Sequence, residues 1–288
     1  SGMKRILHTA ALLLITSGFG CQSNNAVIID QLPDFIPKEQ THSTVMLTVG
    51  TDSDTRFGGS AIILSDTQLL TNRHVWVRED EWWNSTPLEE QQIGFFFTCT
   101  KCDKLHAHSE IFELVAIGEI KSELDSPEFR TDRYLSDWAL IETKKPFWDN
   151  LLGAPIYPPA IDPDWRAPDG TNLYVLGFSS IFRNEEDQTT FIQGGPYTIA
   201  AKAINVSDFP VLQYDKDWPT PRGHSGGGVY IWNKETKQLE LIGVFHSESA
   251  ASRSANVFNL IEISLGKTKV LYYSPIAIPL QALLSEIN

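Results

Sequence analysis

The sequence predicts an all-β protein: two packed six-stranded antiparallel β-barrels and a short C-terminal helix. Three observations predict it. Short runs rich in Val, Ile, Phe and Thr recur along the chain with turn residues between them. These runs fall into two groups, separated by a stretch in which prolines stand at 146, 155, 158, 159, 163 and 168. Only one segment of the mature chain, at its C-terminal end, repeats apolar residues at helical spacing.

The first group comprises Ser43 to Val49, Gly59 to Leu64, Gln68 to Thr71, Ile93 to Thr98, Phe112 to Ile120 and Trp138 to Glu142. The second comprises Asn172 to Phe178, Tyr197 to Ala203, Val211 to Tyr214, Gly228 to Trp232, Leu239 to Phe245, Val257 to Ile263 and Val270 to Ala277. Two groups of about six strands, each able to close on itself, are the simplest way to remove exposed strand edges. Leu280, Leu283, Leu284 and Ile287 share one face of the terminal helix. The predicted domains are therefore 43–150 for the N-terminal barrel and 151–288 for the connector, the C-terminal barrel and the helix.

Composition narrows the function. With 42% hydrophobic residues the chain can bury a large core, and its net charge of −13 lacks any Lys/Arg stripe, which excludes nucleic acid as a partner. Ser1-Gly2 precede Met3 and read as a cloning remnant. Lys4-Arg5, the apolar run Ile6 to Phe19 and Gly18-Phe19-Gly20-Cys21 then follow the order of a secretory signal: charge, apolar stretch, small residues. Because Cys21 follows Gly20, the segment resembles a bacterial lipoprotein signal, which implies lipid on Cys21 as the first mature residue. Losing residues 1–20 removes two positive charges and takes the chain from −13 to −15. Residues 21–42 then form a tether, and the expected location is periplasmic or cell-surface, with the lipid as the one membrane contact.

Three features carry chemistry. His74 follows Thr71-Asn72-Arg73, where a buried strand pair gives way to a turn; alone it is an ordinary packed histidine. Asp137 precedes Trp138-Ala139-Leu140-Ile141, and alone it is a turn residue at a strand mouth. Ser225 stands in Gly223-His224-Ser225-Gly226-Gly227-Gly228, where glycines leave backbone N–H groups open to a ligand; alone this is a flexible turn. A serine hydroxyl needs an imidazole to take its proton, and the imidazole needs a carboxylate to fix its tautomer. The combination points to nucleophilic acyl transfer.

In this order, His then Asp then Ser, the three motifs resemble those of the chymotrypsin-like (trypsin-fold) serine proteases, over roughly residues 43–285. The ending Tyr273-Ser274-Pro275-Ile276-Ala277-Ile278-Pro279-Leu280 is most similar to bacterial HtrA-type protease domains, here without the peptide-binding domain. The resemblance implies Ser225 as nucleophile, His74 as general base and acid, Asp137 as orienting carboxylate, and the N–H groups of Gly223 and Ser225 as the oxyanion hole. It implies a serine endopeptidase acting on protein or peptide substrates without cofactor. A catalytically weak or inactive peptide-binding module is the alternative. His224 replaces the Asp that digestive members pair with a freed N-terminus, so activation by N-terminal cleavage is not expected. Gly223 to Gly227 also satisfies the Gly-x-Ser-x-Gly pattern of α/β-hydrolases, but their order Ser, acid, His is not followed.

The resemblance also places the pocket for the side chain before the cut bond. Six positions before Ser225 stands Pro219, with Thr220 beside it, so no carboxylate is there to receive Arg or Lys. Strand alternation lets either Phe245 or His246 form the opposite wall. Phe245 makes an apolar pocket and is the preferred register; His246 would resemble the glutamyl endopeptidases. Last, Cys99 and Cys102, followed by His106 and His108, are open to three readings: a disulfide, a tetrahedral zinc site, or free thiols.

Overall fold

A computed structural model describes residues 32–49, 56–77, 83–97, 106–124, 126, 129, 132–133, 136–147, 157–158, 167–178, 180–182, 190–192, 196–206, 209–214, 223–246 and 269–275. The signal segment, Cys21, Cys99, Cys102, Pro219, Thr220, the run Val257 to Ile263 and the helix from Leu280 lie outside the described residues.

The chain is mostly β. Its first six strands are β1 (Thr44–Val49), β2 (Arg56–Ile63), β3 (Gln68–Thr71), β4 (Glu90–Phe97), β5 (His106–Ile117) and β6 (Ala139–Thr143). They close into an antiparallel barrel in the order β1-β2-β3-β6-β5-β4, with β4 pairing back onto β1. Alternation fills it. Val45 and Leu47 of β1, Ala61 and Ile63 of β2, Leu69, Ile93, Phe95, Phe112 and Ile141 are all buried in one apolar cluster. Phe95, Phe112 and Phe147 meet with ring centroids 5.2–6.3 Å apart, and aromatic pairs of this kind add about 0.5–1.5 kcal/mol each beyond their buried area.

The second sheet contains β7 (Asn172–Gly177), β10 (Tyr197–Val206), β11 (Phe209–Tyr214), β12 (Gly228–Asn233), β13 (Gln238–His246) and β14 (Lys269–Pro275). Its order is β10-β11-β14-β13-β12-β7, antiparallel throughout, and β7 also pairs with β10. Between β7 and β10 a small hairpin, β8 (Ser180–Phe182) with β9 (Thr190–Ile192), stands apart as a two-stranded sheet. The sequence reading did not find it, because strands of three residues carry too little pattern.

Even and odd positions divide the labour between the two sheets. Leu173 and Val175 face the second sheet's own core, whereas Tyr174 and Leu176 join Ile62 of β2 and Leu70 of β3 in a cluster between the sheets. The proline-rich connector is pinned at both ends, Phe147 in the first core and Ala167 in the second. The segment before β1, expected to be part of a tether, is docked from residue 32 onward. Ile36 is buried between the sheets, Phe35 lies edge-on to Tyr174, and a 3-10 turn (Lys38–Ser43) brings the Gln40 carboxamide oxygen to accept the Leu239 N–H at 3.1 Å.

Candidate functional site

His74 lies on α1 (Arg73–Val77), a five-residue helix directly after β3 where the sequence suggested a turn. Asn72 at its head is buried and donates from its side-chain nitrogen to the Asp137 carbonyl at 2.7 Å. The His74 backbone N–H donates to Asp137 Oδ1 at 3.0 Å, and His74 Nδ1 meets Oδ2 at 2.7 Å. Backbone and side chain of one residue thus grip both oxygens of the carboxylate, which sets the ring's orientation as well as its distance. Arg73 anchors the other side of the helix, donating to the carbonyls of Gly118 at 2.6 Å and Ser85 at 3.3 Å.

Asp137 is fully buried, while the His74 side chain keeps 23% of its surface exposed. Burial pushes the Asp137 carboxyl up, but the charges of His74 and His246 and their hydrogen bonds outweigh it and hold the group far below the usual carboxylate range. Asp137 is therefore an anion, oriented toward His74 and closed to solvent.

His246 is the surprise of the site. It is buried at the end of β13, its Nδ1 hydrogen-bonds to the same Asp137 Oδ2, and its ring lies edge-on to His74 with centroids 5.0 Å apart. The sequence offered Phe245, or alternatively His246, as a pocket wall; Phe245 is instead wholly buried in the core of the second sheet, and the His246 ring is on Asp137. Strand parity is the cause. Phe245 points into the core of the second sheet, so its neighbours Val244 and His246 point the other way, toward the first barrel.

Ser225 sits in a loop whose backbone is tied from both sheets. Its carbonyl accepts the Ser60 N–H at 2.7 Å. The Ser60 hydroxyl donates to the Gly223 carbonyl at 2.8 Å and accepts the Phe178 N–H at 2.8 Å. Gly226 N–H donates to the Phe245 carbonyl at 3.0 Å, and Phe245 N–H to the Gly227 carbonyl at 2.8 Å. These ties bring the loop beside the elements that carry the two histidines. A Cβ on Gly59 would stand 2.7 Å from the Ser225 carbonyl oxygen and 2.9 Å from a methyl of Val75, the residue after His74. Gly226 has φ +87°, and a side chain there would overlap the Ser60 carbonyl and the Thr71 hydroxyl. His224 is buried with its ring edge-on to Phe245, centroids 6.3 Å apart.

Two histidines and a carboxylate invite a metal, and their donor atoms lie within 4.8 Å of one another. The spacing speaks for protons. Zinc at about 2.0–2.2 Å from each donor would hold neighbouring donors about 3 Å or more apart in a tetrahedral site. Both imidazoles instead reach one carboxylate oxygen at hydrogen-bond distance. Elsewhere, His106 and His108 lie on β5, where they pair with Phe97 and Phe95 of β4, and His108 stacks on Phe95 at 5.6 Å. Neither known family models nor curated proteins give a match to this chain.

Proposed function

We propose that the protein is an exported serine endopeptidase of the chymotrypsin-like, two-barrel type, hydrolysing peptide bonds through an acyl-enzyme on Ser225. The observation that carries the proposal is the His74–Asp137 pair, gripped at both carboxylate oxygens, with the Ser225 loop tied to the strands next to it.

In this reading Ser225 Oγ attacks the substrate carbonyl carbon and its proton passes to His74 Nε2, while Nδ1–H stays on Asp137. The N–H groups of Gly223 and Ser225 receive the oxyanion, a contribution for which losing one donor costs on the order of 100-fold in rate. His74 then gives the proton to the leaving nitrogen as the C–N bond breaks. Water repeats the sequence: His74 takes its proton, hydroxide adds to the ester, and the C–O bond to Ser225 breaks as the proton returns to Oγ. No cofactor enters. The absence of a carboxylate at Pro219 disfavours cleavage after Arg or Lys, and cleavage after neutral apolar residues is the expected preference. Residues 1–20 serve as an export signal, with lipid on Cys21 as the anchor to a bacterial membrane.

A fluorophosphonate probe tests the central claim. Mass spectrometry should find one adduct, on the peptide containing Ser225, and none in Ser225→Ala. A folded wild-type protein that stays unlabelled would sink the enzyme reading. A peptide library read out for the residue before the cut tests the pocket, and dominant cleavage after Arg or Lys contradicts it. Loss of detergent-phase partitioning in Cys21→Ser, expressed with its signal, tests the anchor.

A further inference from the structure

We infer that His246 is a positioning residue of this centre, a second imidazole that holds the Asp137 carboxylate together with His74 and makes the acid limb of the reaction a joint property of both rings. The inference rests on the hydrolytic reading of Ser225, His74 and Asp137 and adds a fourth side chain to it.

The geometry is specific. Asp137 Oδ2 is the meeting point of His74 Nδ1 and His246 Nδ1, one ring arriving from α1 and the other from β13. A carboxylate only accepts, so both rings present N–H at Nδ1. For His74 that is the tautomer which leaves Nε2 to take the serine proton. His246 also stops the carboxylate from turning, because a single donor on Oδ2 would leave the other lone pair of that oxygen unmet in a fully buried place.

Charge gives the second consequence. Among the described side chains, the titratable and charged groups beside His246 include Asp137 at the head of β6 and His74 on α1 with Arg73 next to it. Arg73 is directed to the Gly118 and Ser85 carbonyls. The His246 ring thus shares the carboxylate with His74. With centroids 5.0 Å apart, a proton on His246 opposes a proton on His74, and the two bind protons as a coupled pair.

The test compares wild type with His246→Asn, which keeps an N–H donor and loses the charge, and with His246→Ala, which loses both. Imidazole 15N chemical shifts of His74 are followed against pH, alongside kcat and KM. In His246→Asn, His74 should titrate in a single step where the wild type shows the two steps of a coupled pair, and the acid limb of kcat/KM should change with it. In His246→Ala, kcat should fall about ten-fold with KM within about two-fold, and Asn should recover most of the loss. Identical His74 titrations in wild type and a folded His246→Asn would overturn the inference. If Ala unfolds the chain, the Asn comparison alone decides. A protein that fails to label at Ser225 refutes the protease reading, while the 15N titration still reports whether the rings are coupled.

Discussion

His74 and Asp137 owe their placement to polar side chains: Asn72 on the Asp137 carbonyl, the carboxylate on the helix backbone, Arg73 on Gly118. The Ser225 loop, across the interface, owes its placement to backbone hydrogen bonds and to side chains that are missing. The His74 side is set by what residues reach for; the Ser225 side is set by how closely main chains approach. One half should therefore fail when a polar atom is deleted, and the other when an atom is added.

The largest expected effect falls where the halves act as one device. Ser225→Ala should lower kcat/KM by about 10,000-fold or more, His74→Ala nearly as much, and the double variant no further than either. A double variant much slower than both singles would show that the two residues do not share a step. Next comes an added methyl in the loop. Gly226→Ala should cost about 3 kcal/mol or more in denaturant unfolding, from the left-handed backbone and the overlap with Ser60 and Thr71. Gly170→Ala is the control: its φ is +82° but a Cβ would meet nothing within 4 Å, so only strain remains, about 1 kcal/mol. Equal costs at the two positions would remove close approach from the account.

Ser60→Ala sharpens the comparison, because the Ser60 hydroxyl is a polar side chain that ties the loop side. Its loss unties the Gly223 carbonyl and the Phe178 N–H together, and fluorophosphonate labelling should slow by roughly ten-fold, about 1.4 kcal/mol in activation barrier. Unchanged labelling would leave the loop's shape to its glycines alone. The smallest effect concerns acid. A carboxyl held low in the folded chain stabilises it above the unfolded aspartate value of about 3.9, and that contribution is lost as pH falls toward the folded value. Stability should thus decline below about pH 4, and Asp137→Asn should flatten the decline by about 1–3 kcal/mol. A slope unchanged in the variant would assign acid sensitivity to other groups.

Much of this was legible before any coordinates. The runs Gln68 to Thr71 and Asn172 to Phe178 are apolar enough to announce buried strands, and both form. His74 and Asp137, each ordinary alone, were legible through the order His, Asp, Ser and the resemblance their motifs carry, and the structure brings them to 2.7 Å. The hairpin β8–β9 and the helix α1 were not, since three to five residues hold no full period.

What the sequence determined by itself is what depends on neighbours along the chain: alternation that buries one strand face, glycines around a serine, an acid at a strand mouth. The tertiary structure alone decided what depends on the register between strands. His246 could face a pocket or the buried carboxylate until Phe245 was set in the core, because shifting a strand by one residue exchanges its two faces. Ser60, an unremarked residue inside β2, became a clamp on the Ser225 loop only because β2 crosses it in space, 163 residues away in sequence. Such pairings are made by the packing of two sheets, and no local pattern encodes them.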